Sequence, residues 1–534
     1  MGEVADFFRD KTLFVVGSTG FLGKVLIERI LWQVPQVRRI VLLMRPHSAE
    51  DQETAVRLRA ERAIFSCPIF KRLHARHGER FDGFVREKVK IVAGDLSCPD
   101  LGLDSHSLQV LGSEVDFIIN LAASLHFHER LDLAVRLNTL GPRHLLNFAK
   151  RFPSPTLLHV STCYVSGRRA GSIPEQVLEP DVSAFDLMGI TSNERFRTES
   201  EIEKALEVAQ SVESESRTPA ARSEYRHAAL AHLPSTRIAD GHDRAAERKR
   251  QRWVHDVLSQ EGLSRARRFG WVDTYTFTKA LGEQLLVKSS DGVPIIILRP
   301  SAVESSLYQP EPGWIEGYKT TTPVTYGYGK GDLPDFPSRG EGVIDIIPVD
   351  FVASALLACL TTPPEGRNPR VFQVGSGSEN PIRWNELMEY TEKYFREFPL
   401  QNGSGPIVLQ PMKYRSAEEF DTWVGDRRRR LRIAHSLCDQ LDFWPGAARL
   451  SQKVAVRQRH FKRLEYIARL YAGYTRLVCS FETNNTRRLF RSLQRQDQLD
   501  FFFDPTAIEW PTYIRQIQLP GVRRHVMTKA GDVS

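Results

Sequence analysis

The feature that most constrains the fold is the segment VVGSTGFLG, residues 15–23, in which a glycine recurs at every third position. It follows an apolar run, Thr12–Val16, and precedes Lys24–Val34, whose apolar residues have the spacing of one helix face. Strand, glycine turn and helix in this order are the context that a dinucleotide-binding site requires. The chain is therefore predicted to contain such a unit near its start.

Each glycine has a separate predicted role in this unit. Gly17 permits the sharp turn after the strand, Gly20 lets the backbone approach a pyrophosphate, and Gly23 lets the helix pack closely. The start of the helix adds N–H donors and the positive end of its dipole. The GxxGxxG spacing resembles that of extended short-chain dehydrogenases/reductases. The residues between the glycines complete the predicted cofactor site: Ser18, Thr19, Phe21 and Leu22.

Further short apolar runs alternate with helical segments along the first two thirds of the chain. Buried parallel strands joined by helices build a doubly wound sheet of the α/β class, so we predict a Rossmann-like fold. The runs predicted as strands are Ile40–Met44, Val89–Val92, Phe117–Leu121, Leu157–Val160, Ile295–Leu298 and Val371–Val374.

Composition divides the chain into two predicted domains. Residues 1–375 carry the strand signals and are predicted to form the cofactor-binding domain. Within them, residues 196–266 are polar and have helical periodicity, which indicates a helical insertion or, alternatively, a solvated surface excursion. Residues 376–534 have few strand signals, so we predict a smaller, mainly helical C-terminal domain. Its basic run, Arg427–Arg430, is interpreted as a solvated helix face.

Charge and cysteine usage limit the partners. The 534 residues include 73 Lys and Arg against 65 Asp and Glu, a net charge of +8. This excess suits an anionic ligand or a membrane surface, but it is too small and dispersed to indicate nucleic acid. The six cysteines have neither CxxC nor zinc spacing, so we expect free thiols and no metal site.

The sequence also gives an expectation about location. No apolar run approaches the ~20 residues of a membrane span. The first predicted strand begins within about a dozen residues, which leaves no room for a targeting segment. Free thiols suit a reducing compartment. We therefore expect a cytoplasmic protein.

Residues at the predicted strand ends favour NADPH over NADH. An acidic residue at the end of the second strand would bind the ribose 2′-hydroxyl, but this chain has Arg45, whose guanidinium suits a 2′-phosphate. The alternative is a solvent-facing arginine. After the third strand, Asp95 could accept the amino hydrogen of adenine. Further predicted cofactor contacts are Leu96, Ala122, Ala123, Pro300 and Val303.

Tyr275 and Lys279 are the candidate catalytic pair. Four residues apart on a helix, they lie on one face. A Lys279 ammonium would lower the Tyr275 pKa and could bind the nicotinamide ribose, so that Tyr275 donates a proton as hydride arrives. Either Ser161 or Thr162 could supply a hydroxyl, and they point to opposite faces of a strand. We favour Thr162, which precedes Gly167 by five residues as in extended members of this superfamily.

Two nearby residues have competing interpretations. Cys163 could be a thioester-forming nucleophile, but His159 lies four residues away along a strand, roughly 13 Å, too far for a base. We therefore interpret Cys163 as a packed thiol. Asn138 is either an ordinary polar helix residue or one that bonds a helix backbone and organises a water near Lys279.

Together these motifs resemble the fatty acyl-CoA reductases, especially the alcohol-forming bacterial and plant-like type. The resemblance covers about Lys11 to Gln518 and is carried by VVGSTGFLGKVLIERIL, HVSTCYVSG, DTYTFTKALGEQLL, LRPSAVESS and PGWIEG. ETNNTRRLF and DPTAIEWPTYI are similar to the family's small helical domain. The resemblance implies an NADPH-dependent Rossmann reductase in which Thr162, Tyr275 and Lys279 are catalytic.

The resemblance also implies a reaction. A long-chain acyl-CoA would be reduced through a bound aldehyde to a fatty alcohol, with release of coenzyme A. An apolar tunnel under the insertion and the helical domain would retain the chain, since each buried methylene contributes roughly 0.8 kcal/mol. Three alternatives stay open: an enzyme acting on nucleotide sugars, a non-catalytic NADPH-binding scaffold, and a reductase that stops at aldehyde. Peripheral contact with a membrane is also open, because acyl substrates partition into bilayers.

Overall fold

The computed structural model describes residues 2–527 except 47–50, 152, 154, 192–193, 231–238, 339, 365–367, 403–404 and 441–446. A seven-stranded sheet lies at its centre, with strand order β3-β2-β1-β4-β5-β6-β7 and every neighbouring pair parallel. Its strands are β1 (Thr12–Val16), β2 (Arg39–Met44), β3 (Val89–Ala93), β4 (Phe117–Asn120), β5 (Thr156–Val160), β6 (Ile295–Pro300) and β7 (Arg370–Val374). The predicted doubly wound sheet is confirmed, and each predicted strand ends within two residues of the observed one.

The strand order places the ligand site. The chain leaves β1 in one direction to reach β2 and β3, and β4 then lies on the other side of β1. Ligands of such sheets bind at this reversal, beyond the carboxyl ends of the strands. Val16 pairs with Leu43 of β2 and Asn120 of β4, so the three strands end level at this edge.

Helices cover both faces of the sheet. The helices of the first 375 residues are α1 (Glu3–Phe7), α2 (Phe21–Gln33), α3 (Gln52–Ala60), α4 (Lys71–His77), α5 (Phe81–Lys88), α6 (Ser105–Gly112), α7 (Leu131–Ala134), α8 (Gly141–Ala149), α9 (Thr198–Glu215), α10 (Pro219–Leu230), α11 (Ala239–Arg268), α12 (Thr274–Lys288), α13 (Thr322–Gly329) and α14 (Val349–Leu360). Those that follow are α15 (Trp384–Glu397), α16 (Ala417–Gln440), α17 (Ala447–Thr475), α18 (Asn484–Ser492), α19 (Arg495–Asp500), α20 (Trp510–Thr512) and α21 (Leu519–Val522).

Among the described residues, five short strand pairs lie outside the central sheet. They are Gly171–Ile173 with Cys479–Phe481, Ala302–Glu304 with Ile346–Pro348, Asp335–Phe336 with Lys413–Tyr414, Val343–Ile344 with Ile382–Arg383, and Gln401–Asn402 with Gly405–Pro406. The first, third and fourth of these pairs join the C-terminal third of the chain to the earlier part.

The predicted insertion is helical, as expected, and consists of α9, α10 and α11. Ile202 of α9 and Ala266 of α11 belong to one apolar cluster with Leu281 and Leu285 of α12. Burial against α12 shows that α9 and α11 are part of the folded core rather than a detached surface excursion. The insertion therefore supports one side of the helix that carries Tyr275 and Lys279.

The C-terminal part is mainly helical and packs on the sheet domain. Arg29 of α2 is buried and donates hydrogen bonds to the Asp500 carbonyl oxygen at 2.7 Å and to Ser354 Oγ at 2.9 Å. One apolar cluster includes Ile30 of α2 as well as Tyr513 and Leu519. The domain boundary at residue 375 stays a prediction. In the part of the chain that the structure describes, no helix is both long enough and apolar enough to cross a membrane.

Candidate functional site

The glycine turn has the geometry of a backbone cradle. Gly17 has φ +91°, and a Cβ atom there would lie 2.6 Å from the backbone nitrogen of Ala122. A Cβ at Gly23 would lie 2.3 Å from the Gly17 carbonyl oxygen, so this glycine lets α2 pack on the turn itself. Gly20 precedes α2 and is exposed. A Cβ atom placed there would meet only the Gly17 carbonyl oxygen within 4 Å, at 3.3 Å. The cradle therefore fits a pyrophosphate at the start of α2.

The side chains of the turn differ in exposure. Ser18 is buried, whereas Thr19, Phe21 and Leu22 are partly exposed around the start of α2. Ala122, which Gly17 contacts, begins the loop after β4 together with Ala123, and both are partly exposed. The predicted cradle residues thus lie around one opening at the carboxyl edge of β1 and β4.

Two arginines meet at the end of β2. Arg45 has a side chain 66% exposed, with Nη1 4.0 Å from Asp95 Oδ2. Arg59, on α3, donates a hydrogen bond to the Arg45 carbonyl oxygen at 2.6 Å. Burial, and then the charge of Arg45, lower the Arg59 pKa. Two guanidinium groups near one strand end fit a 2′-phosphate better than a lone arginine does, and no local pattern had indicated the second.

The remaining predicted cofactor contacts lie at the same edge, and their roles stay predictions. Asp95 Oδ1 accepts hydrogen bonds from Ser97 N at 2.9 Å and Ser97 Oγ at 2.7 Å, which leaves Oδ2 facing Arg45. Leu96 is buried. Pro300 ends β6, and Val303 lies in the short strand that follows.

Thr162 and Tyr275 are neighbours: burial raises the Tyr275 pKa, and the Thr162 hydroxyl opposes that rise in part. Ser161 and Thr162 do not alternate between the faces of a strand as expected. The strand β5 ends at Val160, and a 3₁₀ turn, Cys163–Ser166, begins directly after Thr162. Thr162 caps this turn by accepting from Tyr164 N at 3.3 Å. The cap holds the Thr162 hydroxyl at the start of this turn.

Lys279 lies one turn after Tyr275 and is buried. Its Nζ donates to the Val160 carbonyl oxygen at 2.7 Å and lies 3.2 Å from His159 Nε2. Burial lowers the Lys279 pKa to about 7, against a smaller opposing effect of Glu283. Burial also raises the Tyr275 pKa. The expected lowering of the Tyr275 pKa by a charged lysine is therefore wrong for this structure, because burial disfavours both charged forms.

His159 and Asn120 connect Lys279 to the glycine cradle. His159 Nδ1 lies 3.0 Å from Asn120 Nδ2, and Asn120 Oδ1 accepts from Ala122 N at 3.1 Å. Both side chains are fully buried. This role of His159 was not predicted from the sequence, where the residue was interpreted only as a base for Cys163. The pattern that could have indicated this role is a single polar residue near the end of each apolar strand, Asn120 in β4 and His159 in β5. The two residues are paired in the sheet.

The contacts of Asn138 and Cys163 indicate structural roles for both residues. Asn138 lies in a π-helical turn and bonds the backbone of Ser124 at 2.9 and 3.1 Å and Thr278 Oγ1 at 3.1 Å. It therefore ties the loop after β4 to α12, which differs from the interpretation that it bonds a helix backbone. Cys163 is buried and its thiol donates to the Arg299 carbonyl oxygen. Burial raises its pKa well above the usual value, as suits a packed thiol.

Aromatic rings from distant segments surround Tyr275. Phe127, in the loop after β4, has its ring centroid 6.2 Å from that of Tyr275 and 5.2 Å from that of Tyr474 on α17. Tyr471 packs against Phe127 at 6.3 Å, and Tyr164 against Tyr474 at 5.1 Å. The C-terminal part of the chain thus helps to form the apolar wall of the site.

Comparison with known families gives two matches. An NAD-binding family described as "Male sterility protein" matches residues 15–356. A second family with the same description matches residues 444–529. The first match includes the glycine cradle, Thr162 and the Tyr275–Lys279 pair.

Curated relatives match almost the whole chain. Fatty acyl-CoA reductase 1 of Arabidopsis thaliana is 33% identical, over 98% of this chain and 98% of that protein. Fatty acyl-CoA reductase 2, chloroplastic, of the same organism is 32% identical, over 98% of this chain and 79% of that protein. The alcohol-forming fatty acyl-CoA reductase of Simmondsia chinensis is 31% identical, over 99% of both chains.

Solved structures share the fold. The terminal R domain from the myxalamid PKS-NRPS biosynthetic pathway has a TM-score of 0.54 at 16% identity, covering 97% of this chain and 91% of that one. The reductase (R) domain of a non-ribosomal peptide synthetase from Mycobacterium tuberculosis has a TM-score of 0.53 at 17% identity, covering 98% of both chains. At such identities the likeness concerns the fold alone.

Proposed function

The chain belongs to the fatty acyl-CoA reductase family, and from this premise we propose that it reduces long-chain acyl-CoA to fatty alcohol with NADPH. The observation that carries the proposal is the meeting of Thr162, Tyr275 and Lys279 with the glycine cradle at one sheet edge. The full-length match to relatives also includes the C-terminal region, which a nucleotide-sugar enzyme leaves unexplained.

Cofactor binding is assigned to the residues around the cradle. Gly17, Gly20 and the start of α2 would hold the pyrophosphate through backbone N–H groups. Arg45 and Arg59 would bind the 2′-phosphate, and Lys279 the nicotinamide ribose. NADPH, when bound, supplies the hydride for each of the two reductions.

The Thr162–Tyr275 pair would act on the substrate carbonyl. Burial keeps Tyr275 protonated at neutral pH, so its hydroxyl can donate to the carbonyl oxygen and, in the aldehyde step, transfer its proton. Thr162 would add a second donor to the developing oxyanion. In the thioester step the oxyanion held by these two donors would re-form the carbonyl as the C–S bond breaks and the coenzyme A thiolate leaves, so Tyr275 keeps its proton, and the aldehyde then occupies the same donors.

Retention of the aldehyde between the two reductions is assigned to the apolar surroundings of Tyr275. Phe127 and the tyrosines of α17 exclude water from one side of the site. The acyl chain would lie along apolar surface between α17 and the sheet domain. Each buried methylene adds roughly 0.8 kcal/mol, so a long chain can keep the aldehyde bound while the cofactor is exchanged.

A basic hairpin, α16–α17, supports peripheral contact with an anionic membrane on the cytoplasmic side. Residues 427–438 and 450–463 contain no acidic residue. Three apolar side chains among the cations are exposed: Ile433, Leu437 and Leu450. Each cation near an anionic bilayer contributes about 1 kcal/mol. The ten lysines and arginines of the two stretches are Arg427, Arg428, Arg429, Arg430, Arg432, Lys453, Arg457, Arg459, Lys462 and Arg463.

The test is NADPH oxidation by the purified full-length protein with palmitoyl-CoA, while free thiol and lipid products are quantified. We expect two NADPH oxidised per thiol released, with hexadecanol and little free aldehyde. One NADPH per thiol with accumulating hexadecanal would identify an aldehyde-forming reductase instead. No oxidation with any acyl thioester, by protein that still binds NADPH, would overturn the proposal.

A pair of tyrosine variants tests the assigned proton donor. Tyr275→Phe should lower kcat by about 10²-fold or more, the usual contribution of a general acid, with NADPH affinity little changed. The matched control is Tyr466→Phe, at a half-exposed tyrosine of α17, which should keep its activity. Equal activity of the two variants would remove Tyr275 from the mechanism.

A further inference from the structure

Three arginines from distant parts of the sequence lie close together. The first, Arg168, follows the 3₁₀ turn after β5, and its backbone nitrogen donates to the Gly270 carbonyl oxygen at 3.1 Å. The second, Arg267, lies in the last turn of α11, and its carbonyl oxygen accepts from Gly270 N at 3.3 Å. A Cβ at Gly167 would lie 2.7 Å from the Gly270 oxygen, so these two segments pack backbone against backbone.

The third arginine, Arg476, comes from the C-terminal part of the chain and directly follows α17. A Cβ at Gly473 would lie 2.5 Å from Val272 Cγ1, so the last turn of α17 packs on the segment after α11. Two residues after Arg476, the Val478 carbonyl oxygen accepts from Gly171 N at 2.8 Å. Arg476 thus lies between contacts to the other two segments.

We call Arg168, Arg267 and Arg476 the arginine cluster, and all three residues are exposed. Partial burial lowers the Arg168 pKa, and the charges of Arg267 and Arg476 lower it further. In the part of the chain that the structure describes, no member of the cluster forms an ion pair or a side-chain hydrogen bond. The adjacent Arg268, by contrast, binds the Glu194 carboxylate at 3.2 Å. Three like charges held together favour an anionic ligand, because it relieves their repulsion.

The arginine cluster adjoins the aromatic wall of the reaction site. Tyr474, two residues before Arg476, has its ring centroid 5.2 Å from that of Phe127 and 5.1 Å from that of Tyr164. Tyr164 lies in the 3₁₀ turn directly before the segment that carries Arg168. Two of the segments that carry the cluster therefore also carry rings of the wall.

The remaining arginine lies near the loop after β4. Phe127 of this loop packs against Tyr275 at 6.2 Å, and His128 is the next residue. Burial lowers the His128 pKa, and the charge of Arg267 lowers it further. Because the effect of a charge falls with distance, Arg267 lies near the loop that contacts Tyr275.

The cluster is separate from the arginines assigned to the cofactor. Arg45 follows β2, whereas Arg168 follows β5, and β1 and β4 lie between these two strands. At ~4.8 Å per strand, the ends of β2 and β5 are about 14 Å apart. The segment of Arg168 also contacts the segments that follow α11 and α17, whereas Arg59 belongs to α3. The two sets of arginines therefore suit different phosphate groups.

We propose that Arg168, Arg267 and Arg476 bind the phosphates of the coenzyme A nucleotide, the 3′-phospho-ADP part of the acyl-CoA substrate. The inference rests on the proposed function for the identity of this ligand. The pantetheine arm separates the thioester from the diphosphate and the 3′-phosphate, so groups that bind these phosphates belong beside the reaction site and not within it. A guanidinium binds phosphate through two parallel hydrogen bonds. The cluster supplies such donors at the edge of the wall.

The test compares two thioesters that share the reacting group and differ in the nucleotide, palmitoyl-CoA and palmitoyl-pantetheine. In the full-length variant Arg168→Ala/Arg476→Ala, KM for palmitoyl-CoA should rise about tenfold or more, as expected for loss of charged hydrogen bonds to phosphate. The kcat should change little, because these contacts are the same in the ground state and the transition state. Both constants for palmitoyl-pantetheine should stay as in the wild type, which also shows that the variant is folded.

The matched control is Arg268→Ala, which removes the arginine next to Arg267 that already binds Glu194. It should leave KM for both thioesters unchanged. An unchanged KM for palmitoyl-CoA in the double variant, or equal rises for the two thioesters, would overturn the inference and leave the proposed function intact. A wild type that reduces neither thioester would overturn the proposed function instead.

A second measurement does not depend on turnover. Calorimetry with free coenzyme A, on protein saturated with NADP⁺ so that the cofactor site is filled, reports binding of the nucleotide alone. The double variant should bind coenzyme A about tenfold or more weakly than the wild type does, and Arg268→Ala should bind it equally well. Equal affinity of the wild type and the double variant would overturn the inference.

Discussion

The Tyr474 hydroxyl donates a hydrogen bond to the Asp273 carboxylate, which caps the amino-terminal end of α12. The two residues are 201 positions apart in the sequence. Asp273 Oδ1 accepts from Thr276 N at 2.8 Å, while Oδ2 faces Tyr474. The helix that carries Tyr275 and Lys279 is thus held at its start by a residue of the C-terminal part.

Removing the Tyr474 hydroxyl should loosen this end of α12. Tyr474→Phe leaves a buried carboxylate oxygen without its donor, so we expect a loss of about 1–3 kcal/mol in the free energy of unfolding. We also expect a lower kcat, because the start of α12 positions Tyr275. Urea unfolding and acyl-CoA reduction measure the two effects. Tyr466→Phe, on the same helix, should change neither, and a Tyr474→Phe protein of wild-type stability would contradict the argument.

Asp273 should give stability a pH dependence of unusual sign. Burial raises its pKa to about 6, above the unfolded value near 3.9, so the folded state binds more protons between about pH 4 and pH 6. Stability contributed by this group falls as pH rises through that window. In thermal unfolding at pH 4.5 and pH 7, Asp273→Asn should therefore gain stability relative to the wild type at the higher pH, by on the order of 2–3 kcal/mol.

Asp104 offers the opposite case as a control. It caps α6 at the surface, and its hydrogen bond from the Ser107 backbone lowers its pKa. Asp104→Asn should therefore lose stability relative to the wild type as pH rises. If both variants shift in the same direction, burial does not govern the titration of Asp273.

The cradle predicts a sharp difference between two glycine substitutions. Gly17→Ala places a Cβ against the backbone of Ala122 at a positive φ, so the turn must move. We expect NADPH affinity, measured by fluorescence titration, to fall about tenfold or more. Gly83→Ala on α5 meets no atom within 4 Å and should leave binding unchanged while raising stability by about 0.5–1 kcal/mol. Unchanged affinity in Gly17→Ala would place the pyrophosphate elsewhere.

Cofactor selectivity should depend on both arginines near the end of β2. In Arg45→Ala and Arg59→Ala, loss of a charged hydrogen bond to the 2′-phosphate should weaken NADPH binding by about 1.5–3 kcal/mol, or roughly 10- to 150-fold, with NADH binding little affected. The control Arg57→Ala removes an exposed arginine of the same helix, α3, and should affect neither cofactor. An equal loss for NADH and NADPH would show that the arginines do not bind the 2′-phosphate.

The basic hairpin should govern binding to anionic vesicles. Reversing two exposed charges in Arg429→Glu/Arg430→Glu removes about 2 kcal/mol of attraction, so binding to phosphatidylserine vesicles should weaken at least about 30-fold. Sedimentation with vesicles measures this, with phosphatidylcholine vesicles as the neutral comparison. Arg62→Glu/Arg86→Glu makes the same charge change on exposed residues elsewhere and should bind as the wild type does. Equal binding by both variants would remove the hairpin from the membrane proposal.

Local patterns were sufficient to predict the architecture. Apolar runs gave every strand of the central sheet, because a parallel strand is buried on both faces and so reads as a continuous apolar segment. The glycine turn and the four-residue spacing of Tyr275 and Lys279 were equally local, since each depends only on backbone geometry over a few residues. The cap formed by Asp273 is also a local feature, because Thr276 follows it by three residues. It could have been predicted from the sequence but was not.

Contacts between distant residues were decided by the tertiary structure alone. The pairing of Asn120 with His159 depends on the register of β4 and β5, and the Tyr474 contact depends on how α17 returns to α12. The lowered pKa of Lys279 follows from its burial among residues of distant segments, which no local pattern contains. Local sequence patterns therefore indicate which groups could act. Packing determined their charge and orientation, because desolvation and hydrogen bonding depend on neighbours brought together from across the chain.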